Sequence, residues 1–110
     1  MTEQPYETDV HSDYLRADLL FNMGQPIEAA RVLEGVVAVE PDNQAALELL
    51  ARSYFGSAQL ARAEAVLTRL VELSPSNGWV RRALARTLER QSRADEATVH
   101  HRVADALGAD

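Results

Sequence analysis

No cysteine occurs among the 110 residues, which excludes both a disulfide framework and a thiolate metal site. Lysine is absent as well, so all eleven basic residues are arginines. No apolar run approaches the length of a membrane span, and the opening Met1-Thr2-Glu3-Gln4-Pro5 lacks the basic and apolar segments of a secretory signal. A cytoplasmic location is therefore expected, with no membrane as partner. The five glycines are scattered, so there is no Gly-rich phosphate loop, and no serine sits in a nucleophile elbow. Positive charge is also scarce. A net charge of −6 leaves no surplus of arginine to neutralise phosphates, which argues against nucleic acid.

What is present fits one folded domain, with 46% apolar and 25% charged residues. The charge is uneven. Residues 1–51 hold ten acids against Arg16 and Arg31, whereas residues 52–110 hold seven acids and nine arginines. Pro41 and Pro75 stand 34 positions apart, and other residues recur at that interval. Ala29, Ala63 and Ala97 share one register, Leu20, Tyr54 and Leu88 a second, and Val36, Leu70 and Ala104 a third. A fixed period of this size means stacked supersecondary units rather than one globular core.

Three units follow, 10–43, 44–77 and 78–110, each read as two helices, with residues 1–9 expected to form a flexible lead. The fold class is all-α, with six helices. Ser12–Met23 places Leu15, Leu19 and Leu20 at helical spacing, and Gly24-Gln25-Pro26 breaks that helix. Pro26 starts a second helix that runs to Val39, and Pro41 prevents its continuation, leaving Asp42 and Asn43 to cap the next. Ala45–Phe55 and Ala61–Leu73 repeat the scheme around Gly56-Ser57-Ala58. Val80–Arg90 opens the third unit, and Ser92 followed by Asp95 predicts a capping box for a helix ending near Leu107, with Gly108 as its C-terminal cap.

Leu47, Leu50, Ala51, Tyr54, Ala58, Ala63, Leu67, Leu70 and Pro75 of the second unit are spaced as in the tetratricopeptide repeat (TPR) signature. Residues 10–110 resemble that family. The first unit departs from the signature at Asp13 and Arg16, the third at Arg81 and His101. The resemblance implies a right-handed superhelix with a concave inner face, and close helix crossings at the three alanines. Val37 and Val71 fall where a unit meets the next, and Asp105 occupies the equivalent position in the third unit. A charge there is expected to mark the end of the stack, with the last helix as its cap. The expected state is a monomer or a weak homodimer formed through an exposed end.

Catalytic and metal-binding constellations are not found. His100 and His101 are adjacent, so on a helix they point about 100° apart and cannot close on one ion. His11 lies near a helix start without partners. No catalytic residue, metal or cofactor is expected, and the chain reads as a non-enzyme. Arg82, Arg86 and Arg90 are spaced by four and share one helix face, which by the TPR resemblance lines the concave surface. Arg52 and Asp18 occupy the places matching Arg86, while Tyr14, Phe55 and Trp79 point inward by the same register. The reading is an interaction module, an adaptor or scaffold, that holds an acidic peptide or helix of a partner protein. TPR arrays that clamp the terminal carboxylate of chaperones use Lys and Asn where this chain has Tyr14, Asp18, Leu49, Trp79 and Ala83, so that specialisation does not fit. Two alternatives stand beside it. One is a dedicated chaperone masking an aggregation-prone subunit, which predicts a strongly apolar groove. The other is a self-assembling structural oligomer.

Overall fold

A computed structural model describes residues 9–110. The lead expected over residues 1–9 therefore lies outside the described part, save for Asp9. Six helices run in order: α1 Val10–Asn22, α2 Pro26–Val39, α3 Gln44–Gly56, α4 Leu60–Leu73, α5 Gly78–Arg90 and α6 Ala94–Ala106. Among the described residues there is no strand.

The period sets where helices start and stop. Asp9, Asn43 and Asn77, each 34 residues apart, cap α1, α3 and α5 by accepting from the backbone N–H of Ser12, Ala46 and Val80. Each of these helices ends in the same hydrogen-bonded closure. The N–H groups of Gln25, Gln59 and Arg93 donate to the carbonyls of Leu20, Tyr54 and Leu88 at 2.9, 2.8 and 3.0 Å. The closure needs a left-handed residue just before the donor. Gly24, Ala58 and Ser92 fill that place with φ of 78°, 60° and 62°. The capping box expected at Ser92 therefore does not form. Arg93 stands at the N-cap position of α6 without a side-chain bond, because Ser92 already closes α5.

Burial follows the expected registers. Ala29, Ala63 and Ala97 are at most 1% exposed, where a larger side chain would force paired helices apart. One apolar cluster joins the first unit to the second through Leu33, Val36, Leu50 and Tyr54, and another joins the second to the third through Leu67, Leu70, Leu84 and Leu88. Val37 packs against both. Polar links tie neighbouring units as well. The Tyr54 hydroxyl donates to Glu34, and burial together with that bond pushes its pKa up to about 12. Arg93 and Gln91 both donate to Glu64. Leu15 and Leu19 differ from the expected apolar face of α1: they are 53% and 59% exposed, because that face points away from α2 and α3.

Contacts run mainly between consecutive helices, so the molecule is a short rod of 55 × 25 × 20 Å. The rod leaves one long face built from α1, α3 and α5.

Candidate interaction groove

Two adjoining pockets lie on that face. The first, about 360 Å³, is lined by Tyr14 and Asp18 of α1 and by Glu48, Leu49 and Arg52 of α3. The second, about 640 Å³, takes Arg52 and Phe55 from α3 and Trp79, Arg82 and Arg86 from α5. Arg52 belongs to both, so the two form one groove. Seven of the eight residues expected to bind a partner thus line the groove. The eighth, Arg90, sits with its guanidinium 4.8 Å above the ring of Phe55.

The groove is polarised. Asp18 and Glu48 make its α1 end acidic, while arginines gather toward α5. Arg52 lies over Trp79 at 4.8 Å, so two of the arginines sit over aromatic rings. A guanidinium over a ring is attracted by the negative face of that ring. Among the described residues no carboxylate lies within salt-bridge distance of Arg52, Arg86 or Arg90, nor of Arg62, Arg81 or Arg102, whereas Arg16, Arg31 and Arg82 each have one and Arg69 and Arg93 two.

Arg82 is placed differently from its row. Its guanidinium donates to the carbonyls of Asp110 and Ala109 at 2.9 and 3.2 Å, to Asp105, and to Nδ1 of His101 at 2.7 Å. Arginine has no acceptor, so His101 carries its proton on Nε2 and donates it to Glu89 at 3.1 Å. His100 turns to Arg81 instead, at 3.3 Å, so the two histidines part as adjacent helical residues must. The segment Gly108–Asp110 held by Arg82 forms a wall of the larger pocket. Gly78 makes room for it, since a Cβ there would meet that of Ala109 at 2.8 Å.

Glu48, Phe21 and the 108–110 wall were missed by reading the sequence. Glu48 and Phe21 were accessible, for they share the registers of Tyr14 and Arg82, and of Phe55. The wall carries no periodic signal, because residues that follow the last helix have no counterpart 34 positions earlier in the same role.

Known proteins place this geometry. Two family models described as tetratricopeptide repeat match, one over residues 20–72 and the other over 49–98. No curated protein matches the chain. Solved structures of MamA are similar. MamA from Desulfovibrio magneticus RS-1 is 25% identical with a TM-score of 0.87, covering 94% of this chain and 58% of that one. MamA of AMB-1 is 22% identical with a TM-score of 0.87, covering 91% and 59%. MamA of MSR-1 is 20% identical with a TM-score of 0.86, covering 91% and 57%. This chain thus spans less than two thirds of those proteins' length, and the last two comparisons speak to fold alone.

Proposed function

The chain belongs to the tetratricopeptide repeat family, and from that premise we propose that it is a protein-interaction module whose groove captures an acidic segment of a partner protein. One observation carries this reading: among the described residues no carboxylate pairs with Arg52 and Arg86, which line the groove, or with Arg90 beside it, and the guanidiniums of Arg52 and Arg90 lie over aromatic rings. Isolated cations on a solvated face pair with nearby acids at little gain, as five of the eleven arginines of this chain do. Arg52, Arg86 and Arg90 instead leave bidentate donor edges open to a carboxylate from outside. Trp79 and Phe55 supply apolar area beside those donors, and Trp and Arg dominate binding energy where they are desolvated together. Asp18 and Glu48 at the other end favour a segment whose charge changes sign along its length.

Trp79 is the only tryptophan and lies under Arg52, so its fluorescence reports occupancy of the groove. The probe is a synthetic peptide alternating glutamate with leucine, with a lysine–leucine peptide as counterpart. The expected result is saturable quenching by the acidic peptide only, weakening as salt rises. Arg86→Glu should lower the affinity at least about tenfold, the scale of one charge-assisted contact. Equal binding of the lysine peptide, or undiminished binding by Arg86→Glu, would overturn the reading.

A further inference from the structure

The second exposed feature lies at the other side of the first unit. Leu15 and Leu19 of α1 and Met23 at its C-cap stand about one helical turn apart and are 53%, 59% and 59% exposed. The repeat says what this stripe is for. One period on, Leu15 and Leu19 become Leu49 and Ser53, which are 5% and 0% exposed; two periods on, Leu19 becomes Thr87, also 0% exposed. Leu49 packs in the cluster that joins the first unit to the second, while Ser57, Ala83 and Gln91, the remaining counterparts, are half-buried. In α1 no described element covers the stripe, and Leu19 and Met23 are the only large apolar side chains of their registers.

We propose that a second copy of this chain covers the stripe, with α1 packing antiparallel on the partner's α1 about a twofold axis near Leu19. Two features favour a copy in this arrangement. First, the stripe reads the same in both directions from Leu19. Three positions to either side are Arg16 and Asn22, and four positions to either side are Leu15 and Met23. Antiparallel pairing therefore sets apolar against apolar and polar against polar, and keeps the two Arg16 side chains apart. Second, the opposite end of the stack offers no match. Where Val37 and Val71 meet the next unit, α6 presents Asp105, whose side chain is 69% exposed. A head-to-tail filament would bury that carboxylate against leucines. The stripe is small, so the pairing is of the weak class, below about 1,200 Å² of interface.

The lack of cysteine makes the arrangement readable. Under mild oxidation Leu19→Cys should form a disulfide-linked dimer, because the two sulfurs meet at the axis. Leu15→Cys mixed with Met23→Cys should cross-link to each other in preference to either alone. Val99→Cys, exposed on α6, should stay monomeric. Sedimentation of the unmodified chain should give a mass that rises toward the dimer with concentration. Leu19→Glu should hold it at the monomer, with unchanged helical circular dichroism. Added salt should strengthen the dimer, since two acidic N-terminal halves come together, whereas groove binding weakens with salt. Arg86→Glu should leave the dimer unchanged, which separates this inference from the groove reading. A monomer at every concentration, a dimer that survives Leu19→Glu, or Val99→Cys cross-linking as fast as Leu19→Cys would overturn it.

Discussion

Gly24, Ala58 and Ser92 do the same job in successive turns, yet only the first suits it. A left-handed backbone strains any residue with a Cβ, while glycine adopts it freely. Ala58→Gly and Ser92→Gly should each raise stability by about 0.5–1 kcal/mol, read from chemical denaturation midpoints. Gly24→Ala should lower it by about as much, through backbone strain alone, because a Cβ there meets no atom within 4 Å. His100 offers a second test. Burial and the neighbouring Arg81 hold its pKa below the ordinary 6.5. The unfolded chain therefore takes up the proton first, and stability is lost as pH falls through the folded value. His100→Gln should flatten the loss of stability as pH falls below 6.5, measured by melting at successive pH values. The groove residues were legible one by one because each sits in a repeating register. The role of Ser92 was not: Ser-x-x-Asp reads as an N-cap, but a cap needs extended backbone, and the preceding closure takes Ser92 left-handed.

At the scale of elements, each unit depends on how closely its two helices approach. Ala63 sits fully buried in α4, in the cluster that also holds residues of α2 and α3. Ala63→Leu should destabilise by about 1–3 kcal/mol, whereas Ala61→Leu, two residues away and exposed, should change the melting midpoint little. Helix order and type were plain from the spacing of alanines, leucines and prolines. Starts were placed one or two residues late, since Val10, Gln44, Leu60 and Gly78 begin their helices directly after the N-cap position. The apolar stripe of α1 was readable as helical, yet its direction was not. A helical period gives relative angles between side chains, and only the positions of α2 and α3 tell which angle is inward.

At the scale of the whole molecule, a stack in which helices pack mainly on their neighbours is stable in proportion to how many neighbours each has. α3 buries seven residues, while α1 buries Ala17 alone and α6 buries Ala97 and Ala104. Amide hydrogen exchange should therefore be slowest in α3 and faster in α1 and α6, and uniform protection across the six helices would contradict this. Conditions that dimerise the chain through α1 should slow that helix and leave α6 as it was. The sequence by itself determined the period, the six helices and the columns that align Asp18 with Arg52 and Arg86. Those follow from local backbone chemistry repeated at a fixed interval. Only the tertiary structure decided that Arg82 holds Ala109 and Asp110 as a wall of the groove, that Arg52 and Arg90 lie on rings, and that Leu15 and Leu19 face outward. These facts depend on distances between residues far apart in the chain, which no register within one helix can fix.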